Sequence, residues 1–180
     1  MDPRFVHSIC ACASVRRTSR AVCHLYDLVL SPTGLRATQF VMLDAIYRAG
    51  EIAHCDLARQ LVASQETLSR RLASARAAGW LNMSVGSGSR RLYSLSLAGR
   101  NLLESAIPYW ERAQERMRQE LGEIDWHNLA AFAEKVTRAA QRAEATPMRN
   151  KRVSSAQIQA PKVNQLPTSQ ASSNSSQALL

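Results

Sequence analysis

A chain of 180 residues that is 46% hydrophobic can hold one domain with a proper core. Its net charge of +9 and pI near 10.1 favour an anionic partner, with nucleic acid and an anionic membrane surface equally served by such totals. No apolar run approaches the ~18 residues of a membrane span, and Asp2, Arg16, Arg17 and Arg20 break the pattern of a signal peptide, so the expectation is a cytoplasmic protein without a membrane role.

The charge is unevenly placed. Residues 1–56 carry +1, 57–100 carry +6, 101–144 carry −2 and the remainder +4. The excess therefore sits on one middle segment and on the tail. In chain order, Ser8 to Leu30 can form one long helix with Ala11, Val15, Val22, Leu25 and Val29 on a broad apolar stripe. Ala53 to Val62 gives a short amphipathic helix through Leu57, Ala58, Leu61 and Val62. A second helix follows directly: Ser64 suits its N-cap, Glu66 its first turn, and Gly79 its C′ stop. At about 100° per residue, Leu68, Leu72 and Ala75 share its back, leaving Thr67, Arg70 and Ser74 in front. Hydroxyls and guanidinium on one helix face suit the major groove, where arginine pairs with guanine and Ser, Thr and Gln bond bases or phosphates.

Beyond Gly79, Trp80 to Val85 and Arg91 to Ser96 are strand-like runs separated by the hairpin signal Gly-Ser-Gly-Ser-Arg. Arg90 and Arg91 lie on the returning edge, within reach of a phosphate backbone or a minor groove. From Leu57 to Arg100 the chain has seven arginines against one acid, Glu66. Helix, helix and hairpin carrying the same sign of charge point to DNA contact rather than to three separately solvated faces. The candidate contact residues are Ser64, Gln65, Thr67, Arg70, Arg71, Ser74, Arg90 and Arg91. Downstream, Ser96 caps a helix of about 25 residues carrying Leu103, Ile107, Trp110, Met117 and Leu121, with Pro108 expected to kink it. Ile124 to Ala143 adds another helix through Leu129, Phe132 and Val136. From Ala145 onward the chain is rich in Ser, Gln, Asn and Ala, has no acid, and shows no sustained periodicity, which predicts a disordered tail.

These pieces, in this order and spacing, resemble the MarR family of bacterial transcriptional regulators over about Cys10 to Ala143. The telling residues are Pro32, Gly34, Leu35, Gln39 and Phe40 after the first helix, the helix-turn-helix, and the step Leu95, Ser96, Gly99 from hairpin to long helix. The resemblance implies a mainly α (α+β) winged helix-turn-helix with long N- and C-terminal dimerisation helices. Its parts are an N-terminal dimerisation helix (1–35), a DNA-binding region (36–100), C-terminal dimerisation helices (101–144) and the tail (145–180). Terminal helices this long cannot all bury their stripes on a small winged domain, and pairing with a second copy covers them and sets two reading helices about one DNA turn apart. A monomer with a larger helical core is the alternative.

One departure from the family stands out. Ser87, Gly88 and Ser89 occupy the positions where its wings carry Asp-x-Arg. Arg90 or Arg91 can replace the arginine, but nothing replaces its orienting acid. The resemblance also implies a small phenolic or aromatic acid as effector between the long helices and the winged part, near Arg16, Arg20, Tyr26 and Trp110, none of which is assigned as a ligand. Some members sense oxidants through a cysteine near the first helix, which makes Cys10 and Cys12 redox candidates. Cys10, Cys12, Cys23 and Cys55 lack Cys-x-x-Cys spacing and read as reduced thiols rather than a zinc site, so neither metal nor cofactor is expected. No nucleophile, base and orienting group converge, and Gly-Ser-Gly-Ser lacks the lysine of a phosphate loop, so no catalysis is expected. The expectation is a homodimeric sequence-specific regulator acting as a repressor; a non-specific architectural DNA-binding protein is the rival.

Overall fold

The computed structural model describes residues 10–146. The first helix, α1 (Ala11–Leu30), starts at Cys10, whose Sγ accepts a hydrogen bond from the Ala13 amide at 3.5 Å. The expected start at Ser8 lies outside the described residues, as does the expected tail beyond Thr146. The residues α1 buries are Tyr26 and Leu30; Val22, Leu25 and Val29 are half-buried, and Val15 is half exposed. Among the described residues, the C-terminal part of the predicted stripe is thus the part that is packed.

The turn after α1 is built by side chains bonding to backbone. Thr33 Oγ1 donates to the Leu30 carbonyl at 2.8 Å and accepts from the Leu35 amide at 3.2 Å. Asp27 Oδ1 then accepts from the Ala37 amide at 2.7 Å, so α1 caps the next helix, α2 (Ala37–Ala49). Gln39 Oε1 takes the Arg36 amide at 2.8 Å, completing that end. Phe40, Met42, Leu43, Ala45 and Ile46 of α2 are buried.

A two-residue strand that the periodicity does not announce, β1 (Ile52–Ala53), leads into α3 (His54–Gln60). The predicted helix from Ala53 to Val62 is therefore shortened at both ends. Ala53 pairs with Leu92 in the sheet, and Val62 takes φ +49, closing α3 in the left-handed region with Val62 N on the Arg59 carbonyl and Ala63 N on the Ala58 carbonyl. Leu57 and Ala58 are buried as expected, but Val62 is 63% exposed because the chain has already left the helix. A β-branched residue in this region is strained.

Helix α4 (Gln65–Ala77) follows the sequence reading closely. Leu68, Leu72 and Ala75 are buried, and Gly79 takes φ +76 just past the C-cap Ala78. Strands β2 (Leu81–Val85) and β3 (Arg91–Leu95) form the hairpin, and the sheet order β1-β3-β2 is antiparallel throughout, with Leu81 opposite Leu95 and Val85 opposite Arg91. Tyr93 and Leu95 alternate inward on β3, whereas on β2 only Leu81 is buried and the rest projects with the wing.

Ser96 caps the 25-residue α5 (Leu97–Leu121) by accepting from the Gly99 amide at 3.0 Å. The Trp80 carbonyl accepts from the Ser96 amide at 2.9 Å and lies so close to Gly99 that a Cβ there would sit 2.1 Å from it. Glycine at this step is thus demanded by contact with the start of the hairpin. The helix passes Pro108 without a break; Pro108 and Glu104, whose carbonyl loses its donor, are both exposed, so water can take that carbonyl. The buried residues of α5 are Gly99, Leu103, Ala106 and Ala113, while the predicted Ile107 is 40% exposed. After Gly122, α6 (Glu123–Ala145) buries none of its residues. The chain falls into two compact units, 1–134 and 135–180, the second beginning inside α6.

Leu30, Met42, Leu43, Ile46, Leu57, Leu68 and Leu72 are the large side chains excluded from water. At roughly 1.5–3 kcal/mol for each such side chain, this cluster dominates the stability of the winged part and fixes the rotation of α4 about its axis. Among the described residues, no helix is long and apolar enough to cross a membrane.

Candidate nucleic-acid interface

Because Leu68, Leu72 and Ala75 are held in the core, the opposite side of α4 must face solvent. Glu66, Arg70 and Ser74 are exposed there, and Thr67 and Arg71 are half-buried at the edge; Gln65, three residues before Leu68, is exposed on the first turn above the buried side. Ser64 performs the cap assigned to it, accepting from the Thr67 amide at 3.2 Å and donating to Thr67 Oγ1 at 2.9 Å. The two hydroxyls fix the first turn, leaving Glu66 and Arg70 the long polar side chains in front. Among the described residues the ion pair of Arg70 is with Glu66, at 4.0 Å with both side chains largely exposed, a pairing worth little in water and easily exchanged for a phosphate or base. His54 Nε2 lies 3.0 Å from Ser69 Oγ, linking α3 to α4 across the helix-turn-helix.

A shallow cleft of about 340 Å³ runs along this face between Thr67, Arg70, Arg71 and Ser74 of α4 and Gln39 of α2. Gln39 was not among the predicted contact residues. The signal was present, since Gln39 belongs to the turn motif after α1, but a one-dimensional pattern does not tell that the start of α2 abuts the reading helix.

The wing brings Arg90 and Arg91 to its outer side, both exposed. Its tip turns through Ser87–Ser89, with Gly88 at φ +70 and Ser89 at φ +59, and the Gly86 amide closes it on the Arg90 carbonyl at 2.8 Å. Among the described residues neither arginine has a carboxylate within ion-pair distance. Glu51 and Asp56 share a depression with Arg90 at the base of the wing, yet each is engaged elsewhere: Glu51 Oε1 accepts from Ser84 Oγ at 2.7 Å, and Asp56 pairs with Arg59 at 3.0 Å.

Behind the reading helix lies a cavity of about 360 Å³. Val22, Cys23 and Tyr26 of α1, Thr38 and Val41 of α2, Arg71 of α4 and Trp110 of α5 line it. Trp110 stacks on Phe40, centroids 4.3 Å apart at 9°, and meets Tyr26 edge-on at 4.6 Å and 62°. The Tyr26 hydroxyl donates to Gln114 Oε1 at 2.5 Å, and burial pushes its pKa above the usual phenol value. Of the four residues the sequence places near such a junction, Tyr26 and Trp110 line the cavity, while Arg16 and Arg20 are exposed on the first turns of α1 and do not. The arginine of the cavity is Arg71, which the sequence reading assigns to DNA alone.

Cys10 and Cys12 are exposed free thiols at the start of α1; Cys23 and Cys55 are half-buried. Among the described residues no group of His, Cys, Asp or Glu could hold a metal ion.

No family model and no curated protein sequence matches the chain. Solved structures do. The M. tuberculosis transcriptional regulator MosR in complex with DNA is 28% identical, with a TM-score of 0.69 over 74% of this chain and 98% of that one. The chain has the winged-helix fold of MarR-type regulators. An E. coli MarR mutant complexed with operator DNA is 21% identical, with a TM-score of 0.66 over 73% of this chain and 96% of that one, and shares the fold. So does Bordetella bronchiseptica BpsR, whose DNA binding is regulated by 6-hydroxynicotinic acid, at 21% identity and a TM-score of 0.64 over 72% of this chain and 95% of that one. The likeness lies in the whole arrangement of helices and wing, while Ser87, Gly88 and Ser89 of the wing supply no Asp-x-Arg.

Proposed function

We propose that this MarR-type protein is a sequence-specific DNA-binding transcriptional regulator of the cytoplasm, acting as a homodimeric repressor that a small aromatic acid releases. One observation carries the DNA-binding part: the core sets α4 so that Thr67, Arg70, Arg71 and Ser74 lie together along its outer cleft, next to a wing whose two arginines have no ion pair among the described residues. Such a face offers arginine forks for guanine and hydroxyls for phosphate, with Glu66 the sole acid on α4. That similar structures were solved on DNA supports this reading.

The homodimer is supported by apolar side chains that this chain leaves uncovered on its long helices, Val15, Ile107, Ile124 and Phe132 among them. The aromatic effector is supported by the cavity behind α4, which joins an aromatic wall to a guanidinium, and by the regulation of BpsR by an aromatic acid. Oxidant sensing through Cys10 and Cys12 is a second reading, favoured by the exposure of both thiols on the first turn of α1.

Footprinting on fragments of the source genome tests the whole. The expected outcome is protection of a short, roughly palindromic site, lost on addition of aromatic acids or, under the second reading, of peroxide. Even coverage of every fragment would assign the protein to architectural binding.

A further inference from the structure

Arg71 lies at the wall between the two hollows of the winged part. It borders the outer cleft with Thr67, Arg70 and Ser74, and it also lines the inner cavity with Cys23, Tyr26 and Trp110. Its position one residue beyond Arg70 turns it about 100° around α4, from the exposed front toward α1 and α2. Arg71 as a residue is half-buried, and among the described residues its side chain has neither a hydrogen bond nor an ion pair. A guanidinium without a partner, placed between two hollows, is open to an anion arriving on either side.

We propose that Arg71 serves both hollows in turn: it donates to the DNA backbone when the cavity is empty, and to the carboxylate of a small aromatic acid when the cavity is filled. Ligand and DNA then compete for one side chain, and release needs no change in the separation of two reading heads. The inference rests on the reading of α4 as the DNA-contacting helix. The occupant follows from the lining. Val22, Val41 and Trp110 accept an apolar ring, and Arg71 is the one charged group, matching a single carboxylate. The guanidinium fork suits two parallel bonds to that carboxylate or to a phosphate, but cannot fully serve both.

The test uses the full chain with benzoate as probe and benzamide as its neutral isostere, read by calorimetry without DNA and by competition with DNA. Wild type should bind benzoate at least ten-fold more tightly than benzamide, and benzoate should lower DNA affinity. Arg71→Gln should weaken benzoate about ten- to a hundred-fold, weaken DNA, and leave the remaining DNA binding indifferent to benzoate. Circular dichroism and thermal melting establish that the variant is folded. Should it prove unfolded, Cys23→Phe serves instead: filling the cavity should abolish benzoate binding while DNA affinity stays as in wild type.

Loss of benzoate binding with DNA affinity unchanged in Arg71→Gln confines Arg71 to the cavity, and the reverse confines it to the DNA face; either overturns the proposal. So does a wild type that ignores benzoate at millimolar concentration or prefers benzamide. If Cys23→Phe still binds benzoate, the ligand sits elsewhere and the proposal falls. A wild type that binds benzoate through Arg71 but no DNA would instead refute the reading of α4, which separates the two failures.

Discussion

The winged part and the long helices of this molecule differ in how far one chain can complete them. In the winged part, Leu43, Ile46, Leu57, Leu68 and Leu72 are closed off from water by residues of the same chain. On the long helices, Val15 is 50% exposed, Phe132 66% and Ile124 78%. The first region therefore specifies its own geometry, including the rotation of α4, while the second presents apolar surface that the described residues leave uncovered. Reading residues belong on the self-sufficient part, because a contact worth a few kcal/mol per base needs a helix whose orientation does not depend on concentration.

The sharpest way to break this contrast is to cut side chains on both sides of it. Leu72→Ala should destabilise the protein by about 2–5 kcal/mol at any concentration, through lost burial and a cavity behind α4. Phe132→Ala should cost within about 0.5 kcal/mol if the chain stays single, and should show its effect in assembly instead. Chemical denaturation across a range of protein concentrations reads both. A concentration-independent loss of several kcal/mol for Phe132→Ala would make the long helices as self-sufficient as the winged part. In sedimentation, the wild type should run as a dimer at micromolar concentration, and Ile124→Glu with Phe132→Glu should shift it to monomer without lowering helix content.

Arg70→Ala sharpens the contrast from the other side. Removing an exposed side chain from a fixed helix should leave folding and assembly alone and weaken specific binding by about 1–3 kcal/mol per contacted base pair. Unchanged affinity and unchanged sequence preference in a titration would remove Arg70 from the site. Arg90→Ala with Arg91→Ala should act differently. Without an acid to orient them, both arginines should serve the backbone, so the double variant should lose affinity about equally on operator and unrelated DNA and flatten the salt dependence by roughly 1–2 units of log-log slope per subunit. Lost discrimination at an unchanged slope would mean that the wing reads bases. A small gain is expected at the turn between α3 and α4, where Val62→Gly should stabilise by about 1 kcal/mol in denaturant, since glycine accepts φ +49 without strain.

Much of this was legible in the residues. The back of α4, its Ser64 cap, the Gly79 stop, the hairpin and the Ser96 cap follow from periodicity and from local bonds that neighbours in sequence make with each other. What escaped was set across the chain. Strand β1 exists because Ile52 and Ala53 find Tyr93 and Leu92 forty residues on, which two residues alone cannot announce. Burial of Tyr26 rather than Val15 reflects where α1 crosses α5. Gln39 and Arg71 needed three dimensions for a similar reason: each is polar, ordinary in its own helix, and informative only by what stands opposite. Arg70 and Arg71 are adjacent and chemically identical, and a turn of about 100° gives one to solvent and the other to a cavity.

The knot at Trp80, Ser96 and Gly99 bears on how the two regions communicate. One carbonyl at the root of the hairpin receives the Ser96 amide and presses on a residue with no side chain to yield, so the long helix and the wing are clamped at a shared fulcrum. A tilt of α5 by a few degrees would then be carried into the hairpin and grow with distance from the clamp, with its largest sweep at the turn Ser87–Ser89. Loosening the clamp would leave both arms intact and take the leverage away.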